Sequence, residues 1–239
     1  LLPTNKKLKK TGGGEQIKVI IYKQKFISAF TSFLDLLLPT KCYSCQIFCN
    51  KAICKTCLTK ININYNQLSF KNKYIEKVVS LSEYNQEIRP LLSNLKFESI
   101  SKLGEELALK IAIDIETNIF PNTNLWIPVP IHKKKHKTRK FNQVNILFRA
   151  YIKKFNLNYQ DLIERKTNTQ PLFELTPIER KETLKNAFRI IDPTQIPNKS
   201  EITILDDIFT TGSTTTEIAK LLVKNGAKKV NVLTLAYAS

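Results

Sequence analysis

Hydrophobic positions in the chain form two patterns, short continuous runs and longer stretches in which they recur every three or four residues. The continuous runs are rich in β-branched residues and predict buried parallel strands. These strands are expected at 77–84, 125–129, 202–206 and 230–236. The periodic stretches between them predict helices around 88–97, 100–116, 141–152 and 216–223. Strands that alternate with helices are typical of an α/β domain with a parallel sheet.

The residues that precede this pattern have a different character. Residues 1–25 are rich in lysine and contain three consecutive glycines, which predicts a basic, flexible tail. Apolar residues then recur at helical spacing up to Pro39 and predict an amphipathic helix. Residues 61–75 are polar, and we expect a connection there. The expected division is therefore a tail at 1–25, a helix with a small module at 26–76, and the main domain at 77–239.

The small module contains two C-x-x-C pairs. Cys42 and Cys45 form the first pair, and Cys54 and Cys57 form the second. Such knuckles can bring four thiolates to one tetrahedral Zn²⁺, and a site with four protein ligands is structural because no position is open for catalysis. A redox-active thiol pair is the alternative. Cys49 is left over, and the C-x-x-C geometry favours its remaining outside the metal site.

The predicted strand at 202–206 ends in two adjacent carboxylates, Asp206 and Asp207, and a hydroxyl-rich turn and a helix follow. The free N–H groups at a helix N-terminus make a site for a phosphate group. Gly212 allows the backbone to approach such a ligand closely. Carboxylates one turn earlier would be repelled by phosphate, so we expect them to face a cation or the hydroxyls of a sugar. The alternative is that the acids end the strand and that Ser213 or Thr214 caps the helix.

An ATPase interpretation of the same strand end fails, because it requires a G-x-x-x-x-G-K-[ST] loop that the sequence lacks. The formal net charge of +18 is informative because lysine and arginine are concentrated in blocks at 1–25, 41–77 and 132–140. Such blocks favour a polyanionic partner. Aromatic residues among them could stack on the bases of a single strand, namely Tyr43, Phe48, Tyr65, Phe70 and Tyr74. The alternative is an ordinary solvated basic surface.

The run from Asp206 to Thr214 resembles the ribose-5-phosphate loop of type I phosphoribosyltransferases. Several further motifs resemble those of the ComF family, which comprises competence-associated, phosphoribosyltransferase-like proteins. These motifs are the C-x-x-C pairs, Tyr84 to Leu92 leading to Lys96-Phe97, Ile127 to His132 with Arg139 to Gln143, Thr169 to Leu172, and Arg180 to Phe188. Lys140 stands where the family commonly has glycine, and a side chain there would be expected to stiffen or partly obstruct the loop.

The resemblance implies a type I phosphoribosyltransferase-like α/β fold, a parallel sheet flanked by helices, with a small N-terminal zinc-binding module of four cysteines. It also implies a site for phosphoribosyl diphosphate (PRPP), in which the catalytic candidates Asp206 and Asp207 hold the ribose hydroxyls. Thr210, Thr211, Gly212, Ser213 and Thr214 would hold the 5-phosphate. The diphosphate candidates are Pro130, His132, Arg139 and Gln143. Mg²⁺ would bridge the diphosphate and the ribose hydroxyls, and residues 165–188 would form a lid or hairpin.

Two functions are open at this point. In the first, the protein transfers a phosphoribosyl group from PRPP to an unknown acceptor and takes part in DNA uptake during natural competence. In the second, it is a non-catalytic competence factor that binds single-stranded DNA and holds PRPP or a nucleotide as a ligand. Other proteins of the competence machinery are expected partners in both cases. No apolar run is long enough to span a membrane, and we expect a cytoplasmic protein.

Overall fold

The computed structural model describes residues 40–97, 100–166 and 183–238. The predicted tail at 1–25, the predicted helix before Pro39 and the middle of the predicted lid lie outside these ranges. The four-cysteine module begins with a short antiparallel pair of strands, β1 and β2, and a one-and-a-half-turn helix, α1. Their bounds are Thr40–Lys41, Phe48–Cys49 and Lys55–Lys60.

The described part of the main domain contains helices and seven strands, and five of these strands form the main sheet. The first elements are β3 (Asn66–Leu68), β4 (Lys77–Ser80), α2 (Ile88–Phe97), α3 (Ser101–Asp114) and β5 (Leu125–Pro128). They are followed by α4 (Lys133–Arg139), α5 (Gln143–Lys154), β6 (Ile163–Arg165) and β7 (Phe188–Ile190). The last elements are β8 (Glu201–Phe209), α6 (Ser213–Lys224) and β9 (Lys229–Tyr237).

Within the described residues the strands of this sheet are ordered β3-β4-β9-β8-β5. The pairs β4–β9, β9–β8 and β8–β5 are parallel, as the alternation of strands and helices predicts. Strand β3 adds an antiparallel edge by pairing with β4. The prediction that 61–75 is only a connection is therefore wrong for residues 66–68, whose polar sequence gives no strand signal. They are held by ladder hydrogen bonds to β4 instead.

The parallel strands are covered on both faces, which explains their continuous apolar sequences. Alternate residues of β9 point to opposite sides, so that Leu233 packs with the helices α2, α3 and α5, whereas Val232 packs with α6. The apolar spacing of α3 is realised as predicted, because Leu103, Leu107 and Ile111 are buried. Helix α2 has the predicted bounds of Ile88 and Phe97.

Strand β8 is longer than predicted, and this positions the candidate site residues. It extends through Phe209 because β9 continues beside it, with Asp206 opposite Thr234 and Phe209 opposite Tyr237. On its other side, β5 stops opposite Leu205. The two acidic residues therefore lie in a strand that has a neighbour on one side only. The space beyond the end of β5 is available for a ligand, as expected at the carboxyl ends of parallel strands.

The four-cysteine module is packed onto the main domain. Ile53 is fully buried in the same hydrophobic cluster as the inner faces of α2 and α3. The two carboxylate oxygens of Glu106 in α3 accept hydrogen bonds from the backbone N–H groups of Ala52 and Ile53, at 3.0 and 2.8 Å. This contact positions Cys54, which follows directly. The side-chain amide of Asn94 in α2 also donates to the carbonyl of Tyr43 at 3.3 Å. The module is thus attached by hydrogen bonds with both helices and by a shared core.

We predict that Glu106→Gln destabilises the protein, because the amide retains one acceptor and turns an N–H group toward the second backbone donor. The expected loss is about 1–3 kcal/mol in the free energy of unfolding, measured by denaturant titration. Glu105→Gln is the matched control, since Glu105 is exposed on the same helix, and it should change stability by less than about 0.5 kcal/mol. Equal effects of the two substitutions would contradict the role given to Glu106.

Candidate functional site

A cavity of about 440 Å³ lies beyond the end of β5, against the last residues of β8. Residues predicted from two separate stretches of sequence line it together. From the first stretch these are Pro130, His132, Arg139 and Gln143, and from the second Asp206, Asp207, Thr210, Thr211, Gly212, Ser213 and Thr214. The stretches meet because β5 and β8 are adjacent parallel strands.

The turn after β8 has the backbone that the phosphate-loop interpretation requires. Gly212 is the N-cap residue of α6 and has a φ of 68°, in the left-handed region that favours glycine. A Cβ at this position would lie 2.7 Å from the ring of Phe70 and 2.8 Å from the ring of Phe209. No side chain caps the helix within the described structure, so the alternative in which Ser213 or Thr214 is a cap does not hold. The first residues of α6 line the cavity, and the first N–H groups of a helix are potential donors to an anion.

The two acids have different surroundings. The Asp207 side chain is 7% exposed, and its Oδ2 atom lies 2.8 Å from Nζ of Lys96. The same oxygen accepts a hydrogen bond from Nε2 of Gln143 at 3.1 Å. Burial alone would raise the pKa of Asp207, but Lys96, the Gln143 amide and the Ile208 N–H outweigh it and lower the pKa below its usual range.

Asp206 is partly exposed in the cavity. Burial, together with the neighbouring charge of Asp207, raises the pKa of the Asp206 carboxyl well above its usual range. Its Oδ1 atom accepts a hydrogen bond from the backbone N–H of Asp207 at 2.8 Å. Asp207 is therefore an anion that already has a cation bound to it. A new polar or cationic partner would lower the raised pKa of Asp206 and so stabilise its charged form.

Cations reach the cavity from several elements. Arg139 at the end of α4 donates from Nη1 to Oε1 of Gln143 at 3.3 Å, so that Gln143 connects it to Asp207. Arg165 comes from β6, and its charge interacts with that of Asp206. The Asn142 side chain caps α5 by accepting the Val144 N–H, and it also donates to the carbonyl of Val129 at 2.9 Å. This fixes the loop that carries Arg139 and Gln143.

Two site residues had no assigned role in the sequence interpretation. Lys96 belongs to a motif that carries the family resemblance, but nothing local to α2 indicates that it reaches Asp207. Arg165 falls at the start of the predicted lid and lies in β6, which pairs antiparallel with β7. The only sign in the sequence that these residues belong to the site is their position next to the family motifs. The residues with which they interact, Asp207 and Asp206, lie far away in sequence.

Lys140 adopts a glycine-like backbone conformation, with a φ of 63°. Its side chain is exposed and is not among the residues that line the cavity. The expected obstruction of the loop is therefore absent at this residue. The left-handed conformation lets the chain turn from α4 into α5 while the side chain points to solvent.

The thiol groups of the module are also brought together. The sulfur atoms of Cys42, Cys45, Cys54 and Cys57 all lie within 4.8 Å of one another. The backbone N–H groups of Ser44 and Cys54 donate to Sγ of Cys42 at 3.4 and 3.3 Å. Burial would raise the pKa of the Cys42 thiol, but the N–H groups of Cys54, Cys45 and Ser44 outweigh it and lower that pKa to about 6.

This donor set fits a zinc ion. Backbone N–H groups stabilise the thiolate of Cys42, and three other sulfur atoms lie close to it. Together the four sulfur atoms form a compact ligand set for a soft, tetrahedral cation. Cys49 is outside the group and donates instead from its thiol to the carbonyl of Lys51 at 3.0 Å. Zn²⁺ bound by the four cysteines would have no open coordination position, so its contribution would be structural.

Most of the aromatic residues proposed for base stacking have other roles. Phe70 makes an edge-to-face contact with Phe209, with ring centroids 5.0 Å apart. Tyr43 and Tyr74 pack against the two hydrophobic cores. By contrast, Phe48 is 63% exposed and Tyr65 is 52% exposed. Two of the proposed aromatic surfaces are therefore accessible.

The parallel sheet, with an acidic pair and a Thr-Thr-Gly turn at the end of β8 and a group of four cysteines before the domain, defines a phosphoribosyltransferase-like α/β protein. No protein-family model matches the chain. The DNA utilization protein YhgH of Escherichia coli K12 is 31% identical over 163 residues, covering 66% of this chain and 70% of the relative. Competence protein F of Haemophilus influenzae is 27% identical over 169 residues, covering 68% and 73%.

Competence protein ComFC of Streptococcus pneumoniae is 23% identical over 198 residues, covering 83% of this chain and 76% of that protein. The chain belongs to the ComF family. Among solved structures, adenine phosphoribosyltransferase from Leishmania tarentolae matches 74% of this chain and 84% of its own, with 10% identity and a TM-score of 0.35. Hypoxanthine phosphoribosyltransferase from Staphylococcus aureus matches 59% and 64%, with 17% identity and a TM-score of 0.32. The family assignment rests on the sequence relatives.

A membrane-spanning helix is not found in the described part of the chain, where each helix is too short or too polar to cross a bilayer.

We predict that Cys54→Ser/Cys57→Ser abolishes zinc binding, because two of the four sulfur ligands are removed. The purified wild-type protein should contain about one Zn²⁺ per chain, measured by elemental analysis. Cys49→Ser is the control and should retain the metal, since Cys49 lies outside the group. Undiminished zinc in the double variant, or its loss in the control, would contradict the assignment.

Proposed function

We propose that the cavity binds PRPP with its Mg²⁺ ion and that the protein transfers the phosphoribosyl group to a nitrogen nucleophile. The supporting observation is that one cavity combines three features. It has an acidic pair, a helix N-terminus lined by hydroxyls, and cations that come from α2, α4 and β6. A ligand that matches all three has vicinal hydroxyls between two anionic groups, and PRPP has this arrangement.

Each part of the ligand has a complementary surface. The 5-phosphate would accept hydrogen bonds from the first N–H groups of α6 and from the hydroxyls of Thr210, Thr211, Ser213 and Thr214. The ribose hydroxyls would donate to the carboxylates of Asp206 and Asp207. The diphosphate would lie toward His132 and Arg139, where the charge is positive. Mg²⁺ would arrive as part of this substrate, coordinated by its diphosphate and ribose oxygens.

Transfer from such a complex is a displacement at the anomeric carbon. The lone pair of the nucleophilic nitrogen forms the new C–N bond, the bond from carbon to the diphosphate oxygen breaks, and the diphosphate leaves with the electron pair. Positive charge develops on the sugar ring as the bond breaks. The fixed carboxylate of Asp207 and its neighbour Asp206 would stabilise that charge, and Arg139 would stabilise the departing diphosphate.

The relatives named competence protein F, competence protein ComFC and DNA utilization protein YhgH support a role for this protein in DNA uptake. Its partners would then include other proteins of the competence machinery. The resemblance to the ComF family implies both this role and a site for PRPP, so we propose the two together.

We predict that Asp206→Ala/Asp207→Ala weakens the binding of PRPP with Mg²⁺ by about 100-fold or more, as measured by calorimetry. The reason is that each hydrogen bond to a charged group contributes about 1.5–3 kcal/mol. Glu76→Gln/Asp114→Asn is a charge-matched control, because it also removes two negative charges but alters ion pairs with Lys229 and Lys110 away from the cavity.

The control variant should bind PRPP like the wild type. Equal affinity in the wild type and the double alanine variant would exclude the sugar-binding role of the acidic pair. Release of diphosphate in the presence of nucleobases or oligonucleotides distinguishes transfer from binding alone.

The second candidate function is non-catalytic binding of single-stranded DNA. It is supported by the exposure of Phe48 and Tyr65 within the lysine-rich stretch at 41–77. The Nζ atom of Lys41 lies 5.1 Å from the centre of the Phe48 ring, so a cation and a stacking surface occur together. Lys133, Lys137 and Lys140 add an exposed basic surface beside the cavity.

We predict that oligonucleotide affinity falls steeply as salt increases, because phosphate binding releases counterions. Lys133→Gln/Lys137→Gln should weaken binding and reduce the salt slope by roughly 1 for each phosphate that is no longer neutralised, measured by fluorescence anisotropy. Lys199→Gln/Lys228→Gln is the charge-matched control, since both lysines are exposed near the start of β8 and β9, at the opposite edge of the sheet. A salt-independent affinity, or equal losses in both variants, would contradict this interface.

A further inference from the structure

Lys96 makes a close contact with one of the two acids of the site. It lies near the end of α2, its side chain is 24% exposed, and its Nζ atom is 2.8 Å from Oδ2 of Asp207. The same carboxylate oxygen accepts the Gln143 amide, and Gln143 in turn accepts from Arg139. Asp207 is thereby held by a chain of polar groups that begins with Lys96 and continues through α5 to α4.

An ionised Asp207 needs this arrangement. A buried carboxylate without a cation loses its hydration and becomes protonated instead. A protonated Asp207 would offer the sugar one acceptor oxygen fewer and would not stabilise positive charge on the ring. In addition, Asp206 lies next to it, and two adjacent carboxylates disfavour each other's ionisation.

We propose that Lys96 is a positioning residue for PRPP: it acts as the internal counter-ion that keeps Asp207 charged and oriented before the ligand arrives. This inference deepens the proposed function and rests on it. The ammonium group occupies one oxygen of Asp207 from the side of α2. The carboxyl of Asp206, which lines the cavity, and the second oxygen of Asp207 would then be the acceptors for the ribose hydroxyls.

Other charged groups also face the acidic pair, and the contribution of Lys96 to the ionisation of Asp207 adds to theirs. They are Arg139 from α4, Arg165 from β6, and Asp206 itself from β8, while His132 also lines the cavity. Arg139 is hydrogen bonded to Gln143, and its charge also interacts with that of Asp207. The charge of Arg165 interacts with Asp206. Lys96 forms a salt bridge with Asp207 in which Nζ lies 2.8 Å from Oδ2.

The first test follows the titration of Asp207 in the ligand-free protein, by NMR of its carboxyl carbon with Asp207→Asn used for assignment. In the wild type the pKa is lowered, so the stability that Asp207 contributes is present above its unfolded pKa and is lost as the pH falls through the folded value. Lys96→Met should raise the pKa of Asp207 above its usual range. Lys96→Arg should keep it low.

The second test compares PRPP and Mg²⁺ binding in the same proteins at pH 6 and pH 8. Lys96→Met should bind more weakly than the wild type at pH 6, by about tenfold for each unit by which the Asp207 pKa exceeds the pH. The loss should shrink at pH 8, and Lys96→Arg should stay close to the wild type. Each comparison is made at one pH, so titration of the ligand's own phosphate cancels.

An unchanged Asp207 titration in Lys96→Met, or an equal loss of affinity at both pH values, would overturn the proposal. If Lys96→Met does not fold, Lys96→Met/Asp207→Asn decides the question. Folding of this double variant supports the counter-ion role because both charges have gone, whereas its failure to fold would show that Lys96 acts through packing. Failure of the wild type to bind PRPP would refute the proposed function, while the carboxyl titration would still test Lys96.

Discussion

Two carboxylates next to each other at a largely buried strand end repel, and the organisation of the site depends on how that repulsion is relieved. Lys96 and Gln143 compensate Asp207, and the charge of Arg165 interacts with Asp206. These partners come from α2, α5 and β6, so three separate parts of the chain must be in place before the pair is surrounded by its compensating groups. The surroundings of the acidic pair therefore form only when these parts of the domain have folded against one another.

The local sequence predicted the parallel strands of the sheet, and the family resemblance supplied the candidate residues that line the cavity. Continuous apolar runs indicated β8 and β9, and apolar spacing indicated α2 and α3, because burial imposes those periods directly. The acids and the Thr-Thr-Gly turn follow one parallel strand, and His132 and Arg139 follow another. Carboxyl ends of parallel strands lie at one edge of a sheet, and the structure places these two strands side by side. The wall of the cavity could thus be predicted without knowledge of any individual contact.

Pairing between distant residues could not be predicted in this way. Gln143 and Asp207 are 64 residues apart, and neither residue carries a local sign of the other. The same holds for Lys96, for the contact of Phe70 with Phe209 across Gly212, and for β3, whose polar residues become a strand only because β4 offers its edge. The extension of β8 through Phe209 likewise depends on β9 and not on the composition of β8. These features arise from tertiary context, which overrides local propensity.

The attachment of the four-cysteine module has a consequence for how metal and protein behave together. Ile53 lies in the same core as α2 and α3, and Glu106 is hydrogen bonded to the two residues that precede Cys54. A cation bound by the four sulfurs would therefore stabilise more than its own loop, since ligand binding to a native site adds to the stability of everything that folds with it. Helix α3 packs through Gly104 against Ile146 of α5, the helix that begins with Gln143. Depriving such a protein of its metal would weaken the scaffold of a cavity in which the metal takes no part.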